Sequence, residues 1–426
     1  MTRLEHEPSY YVASANQNLN YPTLEEENSC DVCVIGGGIT GASAALHLRQ
    51  KGYEVTLLES NRVAWGASGR SGGQYIFGYS CSQKVLEKNV GKADAKKLWD
   101  LSIDSIRLVN QLIEEHQIEC DQVAGQISVA LKPRQHRELI EWKAELENDY
   151  DYKGLQLYEG DELKSLLNSE RYLAGLFDPQ SGHLHPMNYT LGLMRAAEKA
   201  GTMIFEGSKA TKIEYSDNPV VYTEKGSVKC KYVILAGNAY LGDLAEKLEK
   251  RIMPVGTYIG ASEVLGKERA KSLISNNMGV CDINFVLDYY RLSKDYRMLF
   301  GGRVSYSKID PWNLAETMRK RMVTVFPQLK EVKMDYAWGG YVGITMNRAP
   351  HFGRLRNNVY FAQGFSGHGI ALTGMAGKLM AEALAGTAEK FDLFEKISHN
   401  PFPGGKYMRT PGLVLAMAYF RLRDML

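Results

Sequence analysis

The sequence predicts an α/β fold in which a parallel sheet is assembled from distant segments of the chain and a mixed-sheet α+β unit is inserted between them. Three observations predict it. The run Cys30–Asp31–Val32–Cys33–Val34–Ile35–Gly36–Gly37–Gly38–Ile39–Thr40–Gly41 passes from an apolar strand through glycines into a helical pattern. A later strand, Lys231–Tyr232–Val233–Ile234–Leu235–Ala236–Gly237–Asn238–Ala239–Tyr240, ends in glycine and small residues. The block Gly364–Phe365–Ser366–Gly367–His368–Gly369–Ile370 then opens the helical pattern Leu372, Met375, Leu379, Met380, Leu384.

Each glycine of the first run has a place. Gly36 permits a tight turn, Gly38 lets the backbone approach a phosphate, and Gly41 lets the helix of Ala42, Ala45, Leu46 and Leu48 pack against the strand. Ile39 and Thr40 open that helix, whose N-terminus faces negative charge. A second strand, Tyr53 to Leu58, ends in Glu59, where a ribose-binding carboxylate belongs, and that carboxylate would repel a ribose 2′-phosphate. Strand, glycines, helix, strand and acid together indicate a bound dinucleotide. Trp65–Gly66–Ala67–Ser68–Gly69–Arg70–Ser71–Gly72–Gly73–Gln74 packs four glycines, two hydroxyls and an arginine into ten residues, offering backbone N–H groups to something large, flat and polar. The block at Gly364 adds a second helix N-terminus free to meet negative charge.

At 426 residues the chain exceeds one ordinary core, so two domains are expected. The formal net charge of +2, without a long basic run, argues against a nucleic-acid partner. No stretch approaches the ~20 apolar residues that cross a bilayer. The N-terminus is polar and tyrosine-rich where a signal peptide is apolar, so a soluble cytoplasmic protein without stable membrane insertion is expected. The apolar segment Leu413–Val414–Leu415–Ala416–Met417–Ala418–Tyr419–Phe420, followed by Arg421 and Arg423, reads as a short helix packing on its own protein, with contact to a membrane surface as the other reading. Of six cysteines, Cys30 and Cys33 have C-x-x-C spacing but sit at the start of a buried strand, and reduced thiols are expected. His183 and His185 have no third ligand beside them and read as part of a turn before a helix; no metal site is expected.

The order of glycine fingerprint, acidic strand end, Gly66–Gly73 loop, Ser181–Gly182–His183–Leu184–His185–Pro186, Leu-Ala-Gly strand and Gly-Phe-Ser-Gly-His-Gly resembles the D-amino-acid oxidase superfamily of FAD enzymes over nearly the full length. Within it, Ser9 to Asn16, Ala236 to Asp243 and Pro401 to Gly405 are most similar to the branch that oxidises γ-glutamylputrescine. The resemblance implies a Rossmann-like FAD-binding domain of the glutathione-reductase type. Its ADP half would lie on Gly36, Gly38, Gly41 and Glu59, with Ala210 contacting adenine through its backbone, and Ala236 and Gly237 would pass beneath the cofactor. The flavin end would lie near Ser68, Arg70, Gly72, Gly73 and Gln74, with Gly364, Gly367, His368, Gly369 and Ile370 covering the pyrimidine edge. His368 is the candidate for contact with flavin or substrate. Relatives that tether the flavin use a cysteine in the insert-to-C-terminal region or a histidine next to the Gly66–Gly73 loop; here the loop holds no histidine and no cysteine follows Cys281, so the resemblance implies a non-covalent FAD.

The cofactor motifs divide the chain into a discontinuous FAD-binding domain over 28–80, 180–254 and 348–400, a substrate domain over 81–179 and 255–347, and a tail over 401–426. Within the insert, Gln126–Leu131, Val255–Glu263, Phe285–Leu292 and Met298–Tyr306 carry strand patterns, and Lys92–His116 and Pro133–Tyr150 helical ones. The implied chemistry is oxidation of a small-molecule amine by hydride transfer from the carbon next to nitrogen, with hydrolysis of the imine and molecular oxygen as the final acceptor. Relatives that oxidise small amino acids carry a lysine two residues after Gly-His-Gly to hold the carboxylate. Here Ile370 is followed by Ala371, which favours an amine whose negative group is distant. Tyr258, Tyr289, Tyr290, Arg291, Trp338 and Tyr341 are candidate walls of a substrate channel, and Glu263, Asp282 and Asp288 candidate guides for a cationic amine. An amine or amino-acid dehydrogenase with another acceptor, and a flavin protein acting with RNA or a partner, are the other readings. The near-neutral charge weighs against the last. The oligomeric state is not legible in the sequence.

Overall fold

Parallel strands covered on both faces read as unbroken apolar runs; Val32–Ile35 and Val55–Leu58 are such runs, buried along their whole length. In the structure, a computed structural model describing residues 5–305 and 313–404, they lie in a six-stranded sheet. Its order is His351–Arg356, Val359–Gln363, Tyr232–Leu235, Val32–Ile35, Val55–Leu58, Met203–Phe205. Every neighbouring pair is parallel except the hairpin of the first two. Val32 stands between Tyr232 and Val55, so the fingerprint strand is central.

The helices Ile39–Gln50 and Ile370–Leu384 pack on one another over this sheet. They approach so closely that a Cβ on Gly377 would stand 2.6 Å from the Ala44 nitrogen, and Ser43 Oγ donates to the Gly374 carbonyl at 2.7 Å. Glycine at 377 therefore fixes how near the two helices, and their N-termini, lie.

A nine-stranded mixed sheet forms the second layer, in the order Met334–Ile344, Met253–Ser262, Met298–Ser305, Tyr289–Leu292, Gly279–Asp282, Val123–Ala130, Ala174–His183, Gln74–Tyr75, with Gln156–Glu159 beside Ala174–His183. Gly279–Asp282 runs parallel to Val123–Ala130 and the other pairs are antiparallel. The helices Lys92–Glu115 and Pro133–Asp149 lie close to the expected spans, the second opening on proline as a first helical turn tolerates. A small sheet of Glu27–Ser29, Ser227–Lys229, Val220–Tyr222 and Lys212–Glu214 completes the fold.

Three elements differ from the sequence reading. The strand at 231–240 ends at Leu235, and Asn238–Tyr240 is a 3-10 turn with Asn238 at φ +44°. The expected strand from Phe285 begins only at Tyr289, because Asp282 Oδ1 accepts the Asn284 amide at 3.1 Å and starts a turn. Residue 180 lies inside the strand Ala174–His183, whose end pairs with Gln74, so the mixed sheet reaches into both segments flanking the expected boundary. The apolar segment at 413–420 lies outside the described residues. No helix among the described residues is long and apolar enough to cross a membrane.

Candidate active site

Ligands of open parallel sheets bind beyond the carboxyl ends of the strands. A cavity of about 1290 Å³ lies there, between Ile35–Gly38, Leu58–Glu59 and Ala236–Gly237 on one side and Val255, Thr257, Tyr289, Val342 and Ile344 of the mixed sheet on the other.

At one end the glycine loop and Glu59 are tied together. Gly36 has φ +121°, and a Cβ there would stand 2.8 Å from the Ala236 carbonyl oxygen. A Cβ on Gly41 would collide with the Gly36 carbonyl, so its hydrogen is what lets the helix start so soon after the strand. Glu59 accepts the Gly37 amide at 2.7 Å and the Asn61 amide at 2.8 Å, while burial raises its pKa. Ala210 and Lys209 line the same end. At Gly38, what comes close is Ser68: its Oγ would stand 2.7 Å from an added Cβ and accepts the Ile39 amide at 3.0 Å.

The loop Trp65–Gln74 crosses the middle. Ser68, Gly72, Gly73 and Gln74 face the cavity. A Cβ on Gly72 would stand 2.5 Å from the Tyr289 ring, and one on Gly73, at φ +77°, would meet the Leu184 carbonyl. The loop is braced from behind: Arg291 Nε donates to the Gly72 carbonyl at 2.9 Å and Gln74 Nε2 to the Val280 carbonyl at 2.9 Å. Arg70 is another brace and does not line the cavity. Its guanidinium lies 4.0 Å from the Trp65 ring, its Nε donates to the Trp65 carbonyl at 2.7 Å, and its own carbonyl accepts from Trp338 Nε1 at 3.0 Å.

The third block closes the far end. Gly364, at φ +74°, lies behind the wall, its amide donating to Asn238 Oδ1 at 2.9 Å. Gly367, His368, Gly369 and Ile370 line the cavity. His368 Nε2 lies 2.7 Å from the Phe77 carbonyl, so the proton is on Nε2 and Nδ1 keeps its lone pair. Burial, and then the Arg348 charge, lower its pKa to about 4 against the pull of the Phe77 bond, leaving it neutral.

Of the proposed channel walls, Tyr289 lines the cavity. Tyr290 points to the opposite face and stacks on Phe300 with ring centres 5.2 Å apart, as strand alternation requires. Tyr258 and Trp338 are buried in the core, and Arg291 is a buried brace that also donates to the Tyr11 hydroxyl at 3.1 Å. Tyr341 and Glu263 are off the wall, Asp288 is paired with Arg321 at 2.5 Å, and Asp282 is buried in the mixed sheet. His185 caps the helix Pro186–Lys199, its Nδ1 accepting the Asn188 amide at 3.1 Å, and His183 bonds the Asn277 carbonyl at 2.7 Å. Cys30 and Cys33 are buried free thiols.

Sequence reasoning passed over Arg348, which lines the cavity beside Phe285. Its one signal is a charged residue in Thr345–Met346–Asn347–Arg348–Ala349–Pro350, the turn after a long strand.

The site fits an extended dinucleotide with a flat ring system. The helices Ile39–Gln50 and Ile370–Leu384 both begin at glycine N-caps without a capping side chain of their own, and Ile39, Thr40 and Ile370 all line the cavity. The cavity is long enough to run from Glu59 and Ala210 past the glycine loop to His368.

Comparison with known proteins agrees. The family model described as "DAO: FAD dependent oxidoreductase" matches residues 31–383. The chain is 44% identical over 423 residues to the γ-glutamylputrescine oxidoreductase of Escherichia coli K12, covering 99% of both chains. Glycine oxidase from Bacillus cereus shares the fold with a TM-score of 0.70 at 20% identity, covering 86% of this chain and 98% of its own. The L-amino acid deaminase of Proteus vulgaris gives 0.71 at 18% identity, covering 89% of this chain and 100% of its own. With the matched model spanning most of its length and a full-length relative at 44% identity, the chain belongs to the DAO family of FAD-dependent oxidoreductases.

Proposed function

We propose that this enzyme oxidises the terminal primary amine of γ-glutamylputrescine. The substrate and water give the aminoaldehyde and ammonia, and two electrons and two protons pass to molecular oxygen as hydrogen peroxide. The observation that carries the reading is the 44% identity, over 99% of both chains, to the γ-glutamylputrescine oxidoreductase of Escherichia coli K12.

Bound FAD supplies the acceptor for hydride from the carbon next to nitrogen. The chain supplies position and environment. Gly36, Gly38 and Glu59 would hold the adenosine diphosphate end, with Ile39 and Thr40 presenting the helix N-terminus and Gly41 letting that helix sit close. Ala210, Ala236 and Gly237 would support it from the strand ends. Ser68, Gly72, Gly73 and Gln74 would flank the ring, with Arg70 and Gly364 acting from behind the wall. At the far end, Gly367, Gly369 and Ile370 would set the second helix N-terminus against negative charge.

His368 has its Nε2 proton committed to Phe77, so it orients ligands through Nδ1 as an acceptor and donates no proton. Phe285, Leu287, Val342 and Ile344 exclude water from the far part of the cavity and favour an uncharged amine, the form hydride transfer needs. Cys81 and Cys281 also line the wall, but burial raises both thiols, Cys81 to about 12, which leaves them poor nucleophiles and supports a flavin held without a covalent bond. On this reading residues 28–80, 180–254 and 348–400 serve the cofactor and 81–179 and 255–347 the substrate.

The test is anaerobic mixing of the purified holoenzyme with γ-glutamylputrescine, putrescine, sarcosine or glycine while flavin absorbance is followed, and then admission of air. Bleaching by γ-glutamylputrescine alone, with peroxide on reoxidation, is expected. Bleaching without recovery in air means a dehydrogenase, and no bleaching by γ-glutamylputrescine removes the substrate.

A further inference from the structure

Three of the described residues lining the cavity carry a formal charge: Glu59, Lys209 and Arg348. The first two stand at the end formed by Gly36–Gly38 and Ala210. Arg348 stands apart from them, with its guanidinium carbon 4.8 Å from the Phe285 ring centre. It is close enough to His368 for its charge to lower that imidazole's pKa, and it interacts with Cys81.

Its placement is enforced by the turn. Arg348 has φ +61°, the left-handed region that favours glycine or asparagine. The Arg348 amide donates to the Thr345 carbonyl at 3.1 Å, Thr345 Oγ1 donates to the Ala349 carbonyl at 2.7 Å, and Asn347 Oδ1 accepts the Ala349 amide at 3.2 Å. Asn347 Nδ2 in turn donates to the Ser398 carbonyl at 2.9 Å. The backbone would be easier with another residue, and what this one brings to the wall is a guanidinium.

That guanidinium is under-used within the protein. Its Nε is buried and has no hydrogen-bond partner, and among the described residues no carboxylate pairs with it. A buried N–H of a cation without an acceptor is costly, and the cost is removed when a ligand brings the acceptor. The guanidinium lies against the Phe285 ring, which can accept none of its N–H bonds in plane, so its unpaired Nε–H is left for a carboxylate.

We infer that Arg348 anchors the carboxylate end of the substrate, binding a carboxylate carried on the amine through charge-assisted hydrogen bonds while Phe285 packs beside the guanidinium. This rests on the proposed oxidation of γ-glutamylputrescine and deepens it, since the glutamyl group carries such a carboxylate at the end away from the reacting amine. The charges lining the cavity suit that polarity. The one carboxylate on the described wall, Glu59, is at the nucleotide end, so the reacting amine meets no carboxylate at the far end and stays neutral there.

The test uses wild-type holoenzyme with Arg348→Gln and Arg348→Lys. Glutarate, a carboxylate ligand without an amine, is titrated while the flavin spectrum is followed. Separately, the flavin is reduced anaerobically by γ-glutamylputrescine, by N-glutarylputrescine, which keeps a carboxylate but lacks the glutamyl ammonium group, and by N-butanoylputrescine, which lacks both; N-glutarylputrescine is expected to follow γ-glutamylputrescine. Glutarate is expected to bind wild type, to bind Arg348→Gln about 30-fold more weakly, and to recover in part in Arg348→Lys. The apparent Kd of γ-glutamylputrescine should rise by a similar factor in Arg348→Gln, and that of N-butanoylputrescine should stay within about threefold.

Glutarate binding that is absent from wild type or equal in Arg348→Gln overturns the proposal. So does loss of FAD from both variants, read from the flavin content of the purified proteins, because the arginine would then serve the cofactor. If glutarate binding depends on Arg348 but γ-glutamylputrescine does not reduce wild type, the anchor stands and the substrate reading falls.

Discussion

The Ser68 hydroxyl accepts the Ile39 amide at 3.0 Å, capping a helix whose own N-cap, Gly38, has no side chain to do so. The loop after the second strand thereby completes the first helix at the point where its N-terminus meets the cavity. Ser68→Ala should cost about 1 kcal/mol, as loss of an N-cap does, read as a lower midpoint in urea unfolding of the FAD-depleted protein. Gly38→Ala should weaken FAD binding more than Ser68→Ala, because its Cβ would stand 2.7 Å from Ser68 Oγ and push the cap away. Equal FAD affinity in the two variants would count against this arrangement.

Glu59 joins the glycine loop and the following turn through two backbone amides, at 2.7 and 2.8 Å. Glu59→Gln keeps the shape but removes the charge that strengthens these bonds. Fluorescence titration of FAD should give a Kd raised by about 10- to 100-fold, which corresponds to roughly 1.4–2.8 kcal/mol.

A neutral His368 leaves the pH profile to the substrate amine. Its folded pKa of about 4 lies below the ~6.5 of an exposed histidine, so it stays uncharged over the working range. The rate constant for flavin reduction at low substrate should rise with pH towards about 10, following ionisation of the substrate amine, with no inflection near 6.5. An acidic limb near 6.5 in wild type that vanishes in His368→Gln would show the imidazole to titrate as an ordinary histidine.

Burial, reinforced by Asp288, raises Asp282 to about 7, against ~3.9 in an unfolded chain. The folded protein keeps a proton here that the unfolded chain releases above about pH 4. This group's stabilising contribution is therefore whole below about pH 4 and is lost as pH rises through about 7. Asp282→Asn cannot ionise, so its stability relative to wild type should improve by on the order of 3 kcal/mol between pH 4.5 and pH 8, measured by urea unfolding at the two values.

The nucleotide half was the legible part of this sequence because it depends on residues that have few substitutes. Gly36 and Gly41 meet backbone atoms where a side chain would collide, and Glu59 follows its strand at a fixed distance. The substrate half depends on which face of a strand looks into the cavity, and that depends on pairing partners far along the chain. Tyr289 and Tyr290 look equivalent in sequence, yet the first lines the cavity and the second stacks in the core. Arg70 and Arg291 stood in the right segments, but their guanidinium groups brace the loop from behind. Arg348 was hidden because its position comes from a turn fixed by Thr345 and Asn347, which no periodicity reports.

The brace from Arg291 to Tyr11 spans 280 residues. At ribosomal speeds of about 5–20 residues per second, its two ends are made roughly 14–56 s apart. The fingerprint strand also waits, in two shorter stages, since Val32–Ile35 pairs with Tyr232–Leu235, which must in turn receive Val359–Gln363. The nascent chain thus carries an apolar strand and an unclosed glycine loop until Val359–Gln363 and the helix Ile370–Leu384 have been made.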